Sequence, residues 1–175
     1  HRGLGGDTLY AKSKLKLSAS INKIAFEANK SFAWARIYFV YGPHDRGGRL
    51  IGYVYDNLKK DKHIKPNYGG LKRDYIHVMD LADQIVNLTL SSLSGILDLG
   101  TGKSVTVQQI FDTIATALGK NEFVSENNII GDKEPPIIVS NLDSYLNNVG
   151  HIETRRLSEG IKDTVKWLNQ RSENE

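Results

Sequence analysis

The sequence predicts an α/β fold built on a parallel sheet, and three features point to it. The run FAWARIYFVYG, from Phe32 to Gly42, is nearly continuous in apolar, aromatic and β-branched residues, the pattern of a strand buried on both faces of a parallel sheet. A second run, ILDLG from Ile96 to Gly100, has the same character and ends in a glycine turn. Around both lie amphipathic segments of helical period, so strands and helices alternate along the chain. Crossovers between parallel strands in such a fold are expected to be right-handed.

In chain order, the stretch from Tyr10 to about Lys30 reads as a helix. Tyr10, Lys14, Leu17, Ile21, Ile24 and Ala28 recur at steps of four and three and share one face. The segment GPHDRGG breaks the chain after the first apolar run. Leu50 to Lys60 reads as a second helix and DYIHV, from Asp74 to Val78, as a short strand. Asp80 is then placed to cap the helix that continues through LADQIVNLTL. Beyond GTGKS, Thr106 and Gln109 form a capping box for a helix whose apolar face is Val107, Ile110, Phe111, Ile114 and Leu118, and Gly119 stops it. PPIIVS begins another strand, and a short helix follows around Asp143 to Val149. A final helix carries Leu157, Ile161, Val165 and Leu168 on one side.

Composition bounds the function classes. At 175 residues, with 39% hydrophobic and 25% charged, the chain suits one domain with a real core. Its 23 basic residues outnumber 20 acidic ones by only three and are scattered, which argues against nucleic acid but suits a phosphate-bearing small molecule. No apolar run approaches the ~20 residues of a membrane helix, so no membrane association is expected. The absence of cysteine excludes disulfides, thiolate metal sites and cysteine nucleophiles, and leaves a cytoplasmic location as the default expectation. The first residue is His1, with neither an initiator methionine nor a signal-peptide pattern, so the chain is expected to begin within a longer protein.

Candidate chemistry begins with Tyr10 and Lys14. The spacing Tyr-x-x-x-Lys occurs three times, at Tyr10 and Lys14, Tyr55 and Lys59, and Tyr68 and Lys72. What separates the first pair is that Lys14 falls inside the apolar stripe of its helix, whereas Lys12 and Lys16 point elsewhere. A lysine aimed inward must pair, shift its protonation or do chemistry, and an ammonium one turn from a phenol favours the phenolate of a general base. The alternative is a lysine that snorkels from the end of the stripe. In GILDLGTGKS, Gly102, Lys103 and Ser104 imitate the end of a phosphate-binding P-loop, but Leu97 stands where that motif needs glycine. Asp98, Gly100 and Gly102 imitate the first motif of S-adenosylmethionine-dependent methyltransferases, with Ser104 in place of its third glycine, and a plain strand-to-helix turn accounts for the same residues. Arg73, at the start of a strand, offers a fork suited to phosphate or to a neighbouring acid, and Arg46 and Arg49 raise the same question about anions. His44, His63, His77 and His151 have no metal spacing, and no serine stands in a nucleophile elbow.

Taken together, these residues resemble the extended short-chain dehydrogenase/reductase family, the NAD-dependent nucleotide-sugar epimerases and dehydratases. LYAKSK is similar to the family's Tyr-x-x-x-Lys helix, ARIYFVYGP to the following strand and Tyr-Gly-Pro turn, and RDYIHVMDLAD to a stretch typical of UDP-galactose 4-epimerases and their relatives. ILDLGTGKSVTVQQI is similar to a strand, Gly-x-Gly turn and helix near the family's C-terminal region. The four stretches come in the family's order and cover the C-terminal half to two-thirds of a member.

The resemblance implies the C-terminal part of a Rossmann-like doubly wound parallel sheet plus a small α/β substrate-binding region. Residues 1–45 would close the NAD-binding region, and 46–175 would be mostly substrate-binding, with segments returning to the main sheet. It implies an NAD(P)-dependent epimerase, dehydratase or reductase acting on a nucleotide-sugar. Tyr10 would be the acid or base at the sugar oxygen, and Lys14 would hold the nicotinamide ribose, with Ile37 and Val40 beside the nicotinamide. Arg73 would bind the diphosphate, Pro66 and Tyr68 would approach the base, and Arg49 with Leu50 would line the substrate cleft. Phe39 stands where the family often has a substrate-contacting asparagine, and Ile129 where an arginine often precedes the Gly-Asp pair whose aspartate, Asp132, is kept on the substrate side. Those departures fit a reductase or another deoxysugar enzyme as well as an epimerase. The glycine-rich cofactor motif would lie before His1, since HRGLGGD lacks its strand and spacing, so this chain alone is expected to be inactive. A homodimer through the Tyr/Lys helix is the expected assembly of the longer form. The rivals are a methyltransferase resting on ILDLGTGKS and a non-catalytic nucleotide-sugar-binding module.

Overall fold

The computed structural model describes residues 8–45, 48–150 and 153–172, so HRGLGGD, Arg46 and His151 lie outside the described residues. The first apolar run forms two strands, β1 (Ala33–Ile37) and β2 (Phe39–Tyr41), divided at Tyr38. β1 pairs in parallel with β5 (Gly95–Leu99), Ala33 opposite Gly95 and Ile37 opposite Leu99. β2 pairs in parallel with β4 (Tyr75–His77), Phe39 opposite Tyr75 and Tyr41 opposite His77. Tyr38 N donates to Leu99 O at 3.3 Å and Phe39 N to Asp74 O at 3.1 Å. Successive amides of an extended chain face opposite edges, so this is one segment whose partner changes sides at Tyr38.

The expected burial of that segment on both faces is not found, because β1 is exposed at Ala33 and Ile37 and half-buried between them. Among the described residues its second edge pairs with no strand. A parallel strand is buried only where neighbours and helices cover it. The same reason corrects the reading of Lys14 as aimed inward. Helix α1 (Leu9–Glu27) forms where its period placed it and is capped by Thr8, whose Oγ1 accepts from Ala11 N at 3.2 Å. Yet no residue of α1 is buried, and its stripe of Leu17, Ile21 and Ile24 faces outward.

The strand expected over Asp74 to Val78 is likewise divided. β3 (Lys72–Arg73) and β4 flank Asp74, and Val78 already opens helix α3 (Val78–Leu90). The cap of α3 is therefore His77 and not Asp80, with Met79 N donating to His77 Nδ1 at 3.3 Å. Asp80, in the first turn and buried, instead accepts from the backbone and guanidinium of Arg155. β3 is the centre of a small mixed sheet, antiparallel to β6 (Val105–Thr106) and parallel to β7 (Ile137–Ile138).

Two cores follow from this arrangement. Leu97, Leu99 and Ile76 of the parallel strands pack against Leu81 and Leu88 of α3 and Tyr145 of α5 (Asp143–Val149). Ile51, Val54 and Leu58 of α2 (Leu50–Leu58) meet Ile110, Phe111 and Ile114 of α4 (Val107–Leu118) and Ile161 and Val165 of α6 (Leu157–Ser172). α4 has the expected capping box, with Gln109 N donating to Thr106 Oγ1 and Thr106 N to Gln109 Oε1, and ends at Gly119 in the left-handed region. Among the described residues no helix is long and apolar enough to cross a membrane.

Candidate active site

The segment β1–β2 carries its side chains to the carboxyl ends of the parallel strands, where open α/β sheets form their binding crevice. There a cleft of about 510 Å³ is lined by Tyr38, Phe39, Val40, Tyr41, Tyr75, Leu50, Ile51, Arg49 and Asp45. A second cleft of about 270 Å³ shares Leu50 with it and is lined by Pro66, Tyr68, Lys65, Tyr53 and the apolar side chains of Leu71, Val107 and Phe111. Four of the expected site residues, Phe39, Val40, Arg49 and Leu50, thus meet in the first cleft, and Pro66 and Tyr68 continue it into the second. Phe39 leans on Tyr75, ring centroids 5.5 Å apart, which makes one wall aromatic. Arg49 stands at the mouth, 3.4 Å from Asp45.

Arg73 lies behind that wall, its guanidinium carbon 5.9 Å from the centroid of Phe39, and only 3% of its surface is exposed. A buried guanidinium must be neutralised and hydrogen-bonded, and the partners are local. Its Nη1 donates to the carbonyls of Lys72 (2.9 Å), Pro135 (3.0 Å) and Pro136 (3.4 Å), and its Nη2 to Glu134 Oε2 at 2.7 Å. Asp132 is exposed, next to Gly131, which packs flat on the ring of Tyr68.

Two buried carboxylates hold the floor of the site. Asp74 accepts from Thr101 N and Oγ1, Gly102 N, and Ser140 N and Oγ, which ties the Gly100–Gly102 turn to the segment that follows β7. A Cβ on Gly100 would sit 2.5 Å from Ser140 Oγ, so the glycine is needed for this approach. The turn is filled by protein groups, which supports its reading as a structural turn over its likeness to a methyltransferase motif. Asp98 accepts from Arg36 Nε (2.6 Å), Tyr38 OH (2.9 Å) and Asn141 N (3.0 Å). Burial, then the bond to Asp98, pushes the Tyr38 phenol up to about 12, and burial pushes Tyr75 up to about 12 against the opposing Arg73. The phenols of Tyr38 and Tyr75 therefore stay protonated through neutral pH and are not bases.

Tyr10 and Lys14 are exposed on α1, with Lys14 Nζ 5.7 Å from the Tyr10 ring centroid, and neither lines the cleft. Ile37, half-exposed at the end of β1, is outside the lining as well. A phenol and an ammonium one turn apart have the donor chemistry that the ribose end of a dinucleotide takes. The fit stops there: the Gly-x-Gly turn at Gly100–Gly102 has no room for a pyrophosphate, because Asp74 and Ser140 occupy it. Among the described residues no cluster of acidic and histidine side chains could hold a metal.

Sequence reasoning missed Tyr38, Tyr41, Asp45, Ile51 and Tyr75 in the cleft and Glu134 behind it. Tyr75 had a legible signal, since it alternates with the buried Ile76 along DYIHV. Glu134 had none, because its link to Arg73 spans 61 residues.

Comparison with known proteins follows the same lines. The sequence model described as the NAD dependent epimerase/dehydratase family matches residues 5–94. The CDP-abequose synthase of Salmonella muenchen is 25% identical over 135 residues, which is 73% of this chain and 44% of that protein. A UDP-N-acetylglucosamine 4-epimerase from Methanobrevibacter ruminantium, in complex with UDP-N-acetylmuramic acid, superposes with a TM-score of 0.82 at 17% identity, covering 95% of this chain and 55% of its own. A dTDP-glucose 4,6-dehydratase from Bacillus anthracis, in complex with NAD, superposes with a TM-score of 0.82 at 20% identity, covering 97% of this chain and 54% of its own. The chain thus spans about half the length of the proteins it matches, and their likeness establishes the Rossmann-like α/β fold.

Proposed function

This chain belongs to the NAD dependent epimerase/dehydratase family, and from that premise we propose that it is the substrate-side portion of a nucleotide-sugar epimerase, dehydratase or reductase. The observation that carries this reading is the convergence of Phe39, Val40, Arg49 and Leu50 in one cleft that continues past Pro66 and Tyr68. An apolar groove with few polar groups and a cation at its mouth suits a nucleotide-sugar laid along it. The base would lie by Pro66 and Tyr68, with Asp132 on the same side, and the diphosphate by Arg73. The sugar would lie along the Phe39 and Tyr75 wall, with Arg49 and Leu50 closing it. We read residues 1–45, with the β4–α3–β5 and α5 segments that share their core, as the end of the cofactor-binding region and the remainder of 46–175 as the substrate-binding region. A cytoplasmic location and a homodimer in the longer form belong to the same reading.

NAD or NADP, when bound, supplies the hydride acceptor and donor. Every other part falls to residues of this chain. In a unit where a helix returns into a parallel strand through a short turn, the start of the helix and the end of the strand share one side of the sheet. On that rule Tyr10 would lie toward the edge where β1 ends at Ile37. The Tyr10 phenol would take the proton from the sugar hydroxyl, or return it to the carbonyl, and Lys14 would hold the cofactor ribose beside it. Ile37 and Val40 would keep water from the nicotinamide face, and the cleft would orient the sugar carbon. The test is Tyr10→Phe in the intact protein assayed with NAD and a panel of nucleotide-sugars. Loss of general acid-base catalysis lowers kcat by about a hundredfold or more while binding persists. Because Tyr10 is exposed, its replacement leaves folding intact, and an unchanged kcat would overturn the assignment.

A further inference from the structure

The guanidinium of Arg73 is buried while its acidic partner is not: the side chain of Arg73 is 4% exposed and that of Glu134 is 64% exposed. Glu134 rides on a short bridge between two anchored points. On one side, Asn127 and Ile129 are pinned to the turn at Pro66–Gly70. Asn127 Nδ2 donates to the carbonyls of Pro66 and Asn67, Asn127 N donates to Gln108 Oε1, and Gly70 N donates to Ile129 O. Gly69 and Gly70 meet the carbonyls of Asn127 and Asn128 so closely that a Cβ at either would collide with them. On the other side, Ile137 and Ile138 are held in β7 against β3, with Lys72 N donating to Pro136 O at 2.8 Å and Asp74 N to Ile138 O at 3.0 Å. Residues 132–135 between these anchors have no helix or strand pairing. Arg73 meets this stretch through the Glu134 carboxylate and the Pro135 carbonyl, and the anchored end beside it through the Pro136 carbonyl.

A carboxylate and a phosphate each offer a guanidinium N–H an anionic oxygen for a charge-assisted hydrogen bond, so the two can compete for the same donor. From this juxtaposition we infer that Glu134 is an internal competitor for the anion site of Arg73: it holds the guanidinium while the cleft is empty, and a substrate diphosphate displaces it. The inference rests on the reading of Arg73 as the diphosphate ligand. Neutralising the buried guanidinium with an exposed carboxylate keeps the empty site stable. Releasing that carboxylate costs little, because it returns to water. The bridge anchored at both ends can then shift at 132–135 without unpairing β7 or the turn at Pro66–Gly70. Glu134 thereby sets the affinity for the diphosphate and biases the site toward ligands that carry one, since an uncharged ligand cannot displace it.

Calorimetric titration of the intact protein with UDP and CDP, and with uridine and cytidine as phosphate-free controls, tests this. Glu134→Gln removes the competing charge and is expected to tighten the diphosphates by about five- to tenfold while leaving the nucleosides unchanged. The same loss of one charge at exposed Glu122, as Glu122→Gln, is expected to leave the diphosphates unchanged. Arg73→Lys, which keeps the buried charge but loses the fork, is expected to weaken the diphosphates. Unchanged diphosphate affinity in Glu134→Gln, with Arg73→Lys weakened, overturns the competitor and leaves Arg73 as ligand. Unchanged affinity in Arg73→Lys overturns Arg73 as ligand and the competitor with it. Equal tightening by Glu122→Gln, or tightening of the nucleosides by Glu134→Gln, reduces the effect to bulk charge or loop loosening and overturns the competitor as well.

Discussion

The buried carboxylate of Asp74 permits a prediction worked from its bonds. Replacing it with alanine removes the acceptor of five donors: Thr101 N (3.0 Å) and Oγ1 (2.5 Å), Gly102 N (3.1 Å), and Ser140 N (3.1 Å) and Oγ (2.5 Å). The two hydroxyls can rotate toward other partners, and Gly102 N retains Ser140 Oγ at 3.0 Å. The amides of Thr101 and Ser140 are left without an acceptor, and each orphaned amide costs about 1–3 kcal/mol, so the loss is ~4 kcal/mol. Asp74→Asn keeps one carbonyl oxygen and is expected to lose roughly half, ~2 kcal/mol. Against a total stability of about 5–15 kcal/mol these are large effects. Urea unfolding followed by circular dichroism reads them directly. With a slope of about 2 kcal/mol per molar urea, the midpoint falls by ~2 M for alanine and ~1 M for asparagine. A midpoint within ~0.3 M of the parent for Asp74→Ala, at an unchanged slope, would show that the carboxylate does not anchor the Gly100–Gly102 turn.

Two further outcomes are expected. Burial first, and then the Arg155 guanidinium, hold the His77 imidazole below its ordinary value, against the opposing pull of Asp163 and Asp80. The folded protein therefore resists a proton that the unfolded chain accepts near pH ~6.5, so stability is full above that pH and falls as pH drops below it, by at most ~1.4 kcal/mol per unit. Unfolding curves between pH 5.5 and 7 should show this slope and His77→Asn, which keeps a capping acceptor for α3, should flatten it; parallel slopes would rule the histidine out. At the start of α4, Thr106→Ala removes the hydroxyl that accepts from Gln109 N at 3.0 Å and should cost about 1 kcal/mol, or a fall of ~2–4 °C in Tm by calorimetry. A Tm unchanged within a degree or so would mean that the capping box carries no net stability.

Legibility in the sequence followed the range of the interaction. The capping box of Thr106 and Gln109, the stop at Gly119 and the stripes of α4 and α6 are visible because each depends on residues within a few turns. The cap of α3 was misplaced by three residues because both His77 and Asp80 are plausible acceptors, and only the end of strand β4 at His77 chose between them. The break at Tyr38 had no local signal, since it arises where the segment exchanges β5 for β4 as its partner. Four of the eleven expected site residues, Phe39, Val40, Arg49 and Leu50, meet in one cleft because they follow one strand and the helix after it. Tyr75 and Glu134 enter the site from distant parts of the chain.

By itself, then, the sequence determined the α/β alternation, the helix boundaries to within a few residues and the family to which the chain belongs, because hydrophobic period and capping chemistry are local properties of the backbone. Tertiary structure alone decided that Asp74 clamps a turn, that Asp80 meets Arg155, and that Arg73 is buried with an exposed Glu134 as its counter-charge. Those pairings join residues brought together only by packing. What each charge does is set by its burial and by the groups that neutralise it, not by its neighbours in sequence.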